Sequence, residues 1–482
     1  MSPYTTIAVI AGYIFLLYLV SYFSSRRADA DAFYLAGRRA PWLLVSYGMI
    51  GVSISGITFI SVPGEVQNTG FTYFQLVIGY ALGLALMALI LLPLFFKWRV
   101  VSIYSYLEGR FGKLTHKTGA AFFLLAHMLG ASFRLYLMAY VLQLIVFDQL
   151  GIPFALTVFL TIILIWLYTH KGGIQTIIFT DVLQTTFLLL AAIVTIWVIA
   201  HSLGLSLGEL HQQVSESGYT QMFDWDWNSP NNAVKLILTG MLLTFVNNGL
   251  DQAIMQKHLA CANVRDAQKN VFTLSFVLLF VNLLFLFLGA ALVFYAQSKQ
   301  IELPEASDQL YPFLASTELG SLAAFTFIIG IAAAAYSSAD SSLTGLTTAF
   351  CVDFLGYQQD REDNPQVRKL VHLGFSLLIF LFILAFRYLN DQSVVSAFIK
   401  ISGYAYGPLL GLFLFGVSSR RSVRDRWAVI ICLLAPVMAY IITVNSSRWF
   451  GYAFNYETIV INGLLTFLGL FLLSTKVKKS TA

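Results

Sequence analysis

The sequence predicts an all-α polytopic membrane protein with about thirteen transmembrane helices. The chain of 482 residues is 58% hydrophobic and only 11% charged, and its mean hydropathy is +0.75. No soluble class has this composition. Apolar windows long enough to cross a bilayer lie at 5–23, 42–66, 71–96, 119–147, 153–169, 175–203, 234–256, 271–297, 319–351, 370–389, 392–418, 427–446 and 455–474.

Lysine and arginine concentrate in alternate loops, and this bias sets the orientation of a membrane protein. They cluster around 26–39, 97–117, 257–269, 361–369, 420–426 and 476–479, whereas the opposite side has only Lys235, Lys299, Arg387 and Arg448. We therefore expect an outside N-terminus, a cytoplasmic C-terminus and a first helix that is retained rather than cleaved. The net charge of +5 reflects this topology and gives no sign of nucleic acid binding. The compact loops favour a bacterial inner membrane.

The stretch Ile331–Phe350 places hydroxyls and a carboxylate inside an apolar helix: Ser337, Ser338, Asp340, Ser341 and Ser342. An ionisable group at membrane depth normally faces a partner, an ion or a water-filled path. Hydroxyl and carboxylate oxygens suit small hard cations. Packing of small residues is the alternative, and it explains the serines and alanines but not the carboxylate. The pattern favours a cation site.

Two predicted helices are interrupted at membrane depth. The second has glycines at 48, 51 and 56, serines at 53 and 55, and Pro63, while the seventh contains Asn247, Asn248 and Gly249. Broken backbone at this depth is tolerated only where it lines a cavity or is buried in protein. Either break alone could be an ordinary kink. Matching breaks five helices apart indicate an inverted-repeat transporter with its site at the midplane.

Three charged side chains lie inside or at the ends of predicted helices. Arg134, in the middle of the fourth helix, could hold a carboxylate through two hydrogen bonds or form a structural ion pair with a buried acid. Lys400 lies nearer a helix start and could extend to the membrane surface. Asp181, at the start of the sixth helix, could pair with a lysine or join Asp340 in holding an ion.

Other functional classes lack support in the sequence. There is no GxxxxGK[ST] loop, HExxH motif or Cys/His cluster, so we expect neither an ATP-driven pump nor an enzyme. The last predicted helix ends eight residues before Ala482, so no fused signalling domain is expected. A channel or uniporter remains as an alternative, and only accumulation of solute against its gradient would separate it from a coupled carrier.

Four segments, in order, resemble the sodium:solute symporter family, which includes carriers for proline, sialic acid, galactose, glucose and iodide. KGGIQTIIFTDVLQ (171–184) is similar to a GG-rich family segment that ends in T-D-x-x-Q. DQAIMQKHLACANVRDAQK (251–269) is similar to its Q-x-x-x-Q-R-x-L-A-A motif, with Lys257 and His258 in place of the usual pair. SISGITFISVPG and YGPLLGLFLFG resemble its first and tenth core helices.

This resemblance implies a LeuT-type core of two inverted five-helix repeats within a single transporter domain, 1–482. The first repeat would span 42–203 and the second 234–418. A cytoplasmic connector at 24–41 would follow one extra N-terminal helix, and two extra helices at 427–474 would be peripheral.

The resemblance also implies two groups of cation ligands. The common sodium site would use the carbonyls of Gly51, Ile54 and Ala334 and the hydroxyls of Ser337 and Ser338. Some family members hold a second sodium, for which the matching positions are Asp181, Asp340 and Ser341. Because Asp340 stands where those members have serine or threonine, it could instead carry a proton or pair elsewhere.

The solute site implied by the resemblance differs from that of the sugar carriers. A lysine of those carriers is replaced by Leu278, and their glutamate–glutamine pair by Ile57 and Thr58. The predicted solute-binding residues, closer to those of the sialic acid carriers, are Ser53, Ser55, Thr58, Gln75, Arg134 and Asn247.

The function expected is sodium-coupled symport of a small carboxylate-bearing solute, such as sialic acid or another organic anion, by alternating access. The alternatives are a sodium symporter for a neutral amino acid, sugar or vitamin, and an uncoupled uniporter or channel. Sodium is the expected coupling ion, with no organic cofactor and no catalytic residues. The expected partners are the solute and the lipid bilayer, and the protein is expected to act as a monomer.

Overall fold

The computed structural model describes residues 3–24, 30–143, 147–169, 173–227, 229, 231–357, 362–389, 394–451, 454 and 457–475. The side chain of Lys400 lies outside the described part, as do the basic residues predicted at 26–27 and 476–479. Within the described ranges the regular elements are helices, and β-type pairing is confined to two isolated bridges.

The helices of the first half are α1 (Pro3–Ser24), α2 (Ala30–Leu35), α3 (Trp42–Ser53), α4 (Gly56–Thr69), α5 (Tyr73–Trp98), α6 (Ser105–Arg110), α7 (Lys113–Leu142), α8 (Phe154–Thr169), α9 (Gly173–Ser202) and α10 (Leu207–Glu216). Those of the second half are α11 (Ala233–Gly249), α12 (Gln252–Leu259), α13 (Val264–Ser298), α14 (Leu310–Thr317), α15 (Gly320–Ala349), α16 (Pro365–Leu389), α17 (Val394–Ser418), α18 (Asp425–Phe450) and α19 (Thr458–Leu472).

The predicted helical membrane fold is confirmed. Among the described residues, eight helices are long and apolar enough to cross a bilayer, or nine if the bent pair α11–α12 counts as one span. Each predicted apolar window overlaps a helix or one of the pairs α3–α4 and α11–α12. The count of thirteen spans stays a prediction, because several of these helices are short.

Both predicted helix breaks are present. Helix α3 ends at Ser53, Ile54 and Ser55 leave helical geometry, and α4 begins at Gly56. Helices α11 and α12 meet at Leu250–Asp251 with a bend of 72°. Pro63 lies inside α4, so the glycine- and serine-rich segment, and not the proline, makes the first break.

Helix α15 forms the centre of the molecule. In its most apolar window 83% of the residues are buried, against 22% for α1, 22% for α16 and 28% for α18. It packs against α3, α4, α7, α9 and α12. The polar turn of α15 therefore faces protein, whereas α1, α16 and α18 expose apolar faces suited to lipid.

Candidate cation and solute site

A cavity of about 930 Å³ is lined by residues of both helix breaks. It extends from Asn231 and Lys235, at the start of α11, to Asp251 at the α11–α12 break. Its wall combines apolar side chains with polar groups, as small-molecule sites usually do. The lining includes polar residues from five regions: Ser53, Ser55, Thr58 and Ser61; His127 and Arg134; Asn247, Asn248 and Asp251; Ser338, Ser341 and Ser342; and Tyr406. It also includes the charged residues Glu65, Lys235, Asp308 and Glu457.

The structure brings five of the six predicted solute-binding residues to this cavity, namely Ser53, Ser55, Thr58, Arg134 and Asn247. It does not bring Gln75 there. The Gln75 side chain is fully buried, and its amide nitrogen donates to the carbonyls of Thr72 and Asn231 at 3.0 Å. Its oxygen accepts from the Asp224 backbone at 3.2 Å. Gln75 thus ties the segment before α11 to α5.

Several polar atoms of the lining residues are unsatisfied. Among the described side chains, Ser61 Oγ, His127 Nε2, Arg134 Nε and Asn247 Oδ1 are buried without a hydrogen-bond partner in the protein. Arg134 does donate from Nη2 to Ser342 Oγ at 3.2 Å. Buried polar groups are normally hydrogen-bonded, so this set fits a polar ligand with both donors and acceptors.

The α3–α4 break supplies backbone oxygens next to this cavity. The last carbonyls of a helix lack intrahelical donors, and α3 ends between Gly51 and Ile54. Gly51 also allows α3 to approach α9 closely: its backbone nitrogen donates to Thr185 Oγ1 at 3.0 Å, and an added Cβ would lie 3.3 Å from Thr185 Cα.

The hydroxyls of the predicted sodium site lie on α15, which packs against both α3 and α4. Ser337 Oγ donates to Asp181 Oδ1 at 2.8 Å, and Ser338 Oγ donates to the Ala334 carbonyl at 3.1 Å. Since each hydroxyl proton is engaged, the oxygen lone pairs are available to a cation. Carbonyl and hydroxyl oxygens are hard ligands, so this donor set fits sodium.

The structure places a lysine ammonium among the three residues predicted for a second sodium. The Lys257 ammonium lies 2.5 Å from Asp181 Oδ2 and 2.6 Å from Ser341 Oγ, and Ser341 Oγ is 3.1 Å from Asp340 Oδ1. From the sequence, Lys257 was placed among the basic loop residues. That assignment is wrong, because Lys257 lies in α12 and its side chain is only 1% exposed. A protein cation stands where a metal ion was expected.

Sequence reasoning also missed a polar cluster in the cavity wall. Asp251 Oδ2 is 2.6 Å from His127 Nδ1 and accepts from the Tyr406 hydroxyl at 3.0 Å. Asp251 Oδ1 accepts from the backbone nitrogens of Ala253 and Ile254, so it caps α12. Two sequence signals existed: Asp251 comes two residues after Gly249 of the predicted break, and His127 precedes Arg134 by about two helical turns.

Comparison with known proteins points to one family. The sodium/sialic acid symporter NanT of Aliivibrio fischeri is 26% identical over 92% of this chain and 89% of its own length. The sodium/sialic acid symporter SiaT of Proteus mirabilis is 25% identical over 95% and 94%. The sodium/iodide cotransporter of Homo sapiens is 25% identical over 81% of this chain and 61% of its own.

The fold has a counterpart among solved structures. A Na⁺-coupled sialic acid symporter in a substrate-bound outward-open state aligns with a TM-score of 0.81 at 23% identity, over 98% of this chain and 99% of its own. The model of the sodium:solute symporter family matches residues 33–425. With this match over most of its length, the chain belongs to the sodium:solute symporter family, and it is a transporter and not an enzyme.

Proposed function

We propose that the protein is a sodium-coupled symporter that imports a carboxylate-bearing small solute, such as a sialic acid, by alternating access. One observation carries this proposal: the α3–α4 break and the serines of α15 border a cavity that also contains Arg134. The two bacterial relatives are sodium/sialic acid symporters, which supports the same solute class.

Sodium would bind the carbonyls of Gly51, Ile54 and Ala334 and the hydroxyls of Ser337 and Ser338. The broken helix α3–α4 and the central helix α15 then share one ion, which would stabilise the outward-open state. Solute binds in the adjoining cavity and closure follows. Because the coupling between two sites is reciprocal, solute also tightens sodium binding.

The solute carboxylate would bind the Arg134 guanidinium, with Ser53, Ser55, Thr58 and Asn247 contacting its hydroxyl and amide groups. Arginine presents planar paired donors to a carboxylate, and Arg134 Nε is a buried donor with no partner among the described groups. Leu278 in the cavity wall is apolar and offers no side-chain hydrogen bond to the hydroxyls of a neutral sugar.

We further propose the arrangement expected from the sequence for this multi-pass membrane protein. The chain has thirteen spans and an outside N-terminus, with inverted repeats at 42–203 and 234–418 and peripheral helices at 427–474. The protein acts as a monomer in the bacterial inner membrane. The cavity reaches the end of the molecule that carries Asn231 and Lys235, which is the outside in this topology.

A thermal-shift panel of acidic sugars, neutral sugars and amino acids, run in sodium and in potassium buffer, tests the solute class. We expect N-acetylneuraminic acid or another sugar acid to raise the melting temperature in sodium only, and its methyl ester to have little effect. Equal stabilisation by the ester, or by a neutral sugar, would contradict the assignment of a carboxylate to Arg134.

A further inference from the structure

We propose that the Lys257 ammonium is a built-in cation that fills the second cation position, so that the protein binds a single sodium ion. This inference rests on the proposed sodium-coupled function and specifies its ion count. Lys257 is a positioning residue in it: the ammonium acts on the sodium site through Asp181 and Ser337.

The geometry is that of a filled ion site. Lys257 Nζ donates to Asp181 Oδ2 at 2.5 Å and to Ser341 Oγ at 2.6 Å. The side chains of Lys257 and Asp181 are 1% and 2% exposed, so neither charge is hydrated from the cavity. A buried charge without a partner is strongly unfavourable, and each of these two groups neutralises the other.

The α11–α12 break places Lys257 beside Asp181. After the 72° bend, α12 packs against α15 with Ala253 beside Gly345. A Cβ on Gly345 would lie 2.8 Å from Ala253 Cα, so only glycine permits this approach. The Lys257 side chain, from the sixth residue of α12, then reaches the carboxylate of Asp181 on α9 and the hydroxyl of Ser341 on α15.

The ammonium is connected to the sodium ligands through Asp181. One carboxylate oxygen, Oδ2, accepts from Lys257 and the other, Oδ1, accepts from Ser337 Oγ at 2.8 Å. The Ser337 proton is thereby held away from the ion, and the oxygen presents its lone pairs. Lys257 thus keeps Asp181 in place as the acceptor that orients Ser337.

The oxygens expected to ligate a second sodium already have partners in this structure. The oxygens of Asp181 and Ser341 that would ligate it already accept from the ammonium, and a cation among them would face the positive charge of Lys257 directly. Asp340 Oδ1 accepts from the same Ser341 hydroxyl at 3.1 Å, so this carboxylate belongs to the cluster that already contains the ammonium.

The test is the number of ²²Na⁺ ions bound per purified protein, measured by scintillation proximity in detergent at saturating sodium. We expect one ion for the wild type and one for Lys257→Arg. Removing the ammonium with Lys257→Ala frees the oxygens of Asp181 and Ser341, and two ions are expected. The double variant Lys257→Ala with Asp181→Asn should return to one. Lys269→Ala, a change at an exposed lysine, is the matched control and should bind one.

Two bound ions in the wild type would overturn the inference and leave sodium-coupled transport standing. Zero bound ions would overturn both. A folded Lys257→Ala variant that binds one ion would also overturn it. If Lys257→Ala does not fold, the wild-type and Lys257→Arg counts decide alone, since any value other than one contradicts a built-in cation.

Discussion

Ser338 combines a structural and a binding role on one turn of α15. Its hydroxyl donates to the Ala334 carbonyl one turn earlier, and the residue also lines the cavity. Such a bond satisfies the serine proton within its own helix. The same oxygen keeps lone pairs for a cation, so replacing it should affect ion binding more than folding.

Ser338→Ala should raise the sodium concentration that gives half-maximal thermal stabilisation by about tenfold, because losing one ligand oxygen costs about 1.4 kcal/mol. Ser376→Ala is the control: Ser376 is also buried and donates to a carbonyl one turn back, His372 O, at 2.9 Å, but it lies on α16 and is not among the residues that line the cavity. Unchanged sodium dependence in Ser338→Ala would remove this residue from the site.

Arg134→Gln should weaken binding of a carboxylate solute by about tenfold to a hundredfold, since a charged hydrogen bond is worth about 1.5–3 kcal/mol. Sodium binding should persist, because Arg134 is not among the proposed sodium ligands. Arg134→Lys should recover only part of the loss, as lysine lacks the planar pair of donors.

The measurement for Arg134 is calorimetric titration of the solute in saturating sodium. Arg387→Gln, an exposed arginine stacked on Phe154 at 4.2 Å, serves as the control and should bind the solute normally. Retained solute affinity in Arg134→Gln would contradict the proposed carboxylate contact.

Gln75→Leu should lower the melting temperature and leave solute affinity unchanged. The substitution leaves the Asn231 carbonyl and the Asp224 backbone nitrogen without their Gln75 partner, at about 1–3 kcal/mol per unsatisfied buried group. Thr58→Ala in the cavity wall should show the reverse pattern. A solute-affinity loss in Gln75→Leu with normal stability would restore Gln75 to the binding site.

The identity of a residue in the sequence predicted its role correctly at some of these positions and not at others. Ser337, Ser338 and Arg134 were found because polar groups inside apolar helices are costly and therefore informative. Gln75 and Lys257 were misplaced because each depends on a contact distant in sequence, with Asn231 and with Asp181. Neither distance can be read from local pattern.

At the scale of elements, the positions of both helix breaks were predictable from the sequence. The direction that the chain takes after each break was not. Glycine, serine and asparagine in apolar runs weaken a helix locally, and the breaks occur at Ile54–Ser55 and Leu250–Asp251. The 72° bend depends on where α12 finds a partner, which is the small-residue surface of α15. That tertiary contact puts Lys257 beside Asp181.

Gly345→Ala should destabilise the protein by about 1–3 kcal/mol, the usual cost of overpacking, because the added methyl meets the α12 backbone at Ala253. Sodium affinity at the proposed site should also fall, because a displaced α12 moves Lys257 away from Asp181, the acceptor that orients Ser337. Gly374→Ala on α16 is the control: a Cβ there meets nothing within 4 Å. Unfolding in denaturant, followed by circular dichroism, measures the stability, and the sodium dependence of the melting temperature measures the binding. A neutral Gly345→Ala would contradict the tight α12–α15 contact.

At the scale of the whole molecule, hydropathy predicted the helical membrane fold and the order of its elements. Each predicted window overlaps a helix or a broken pair, because bilayer thickness fixes the length of an apolar segment. The cavity was not predictable in the same way. It arises where two helix breaks from distant parts of the chain meet one buried helix, α15. The residues that line the cavity are therefore set by tertiary packing.

Transport against a gradient tests this arrangement most directly. Protein reconstituted in proteoliposomes should accumulate a labelled sugar acid above the external concentration when sodium is high outside, and should stop when the gradient is collapsed with a sodium ionophore. Equilibration to the external concentration without accumulation, or accumulation that continues in sodium-free medium, would contradict sodium-coupled symport.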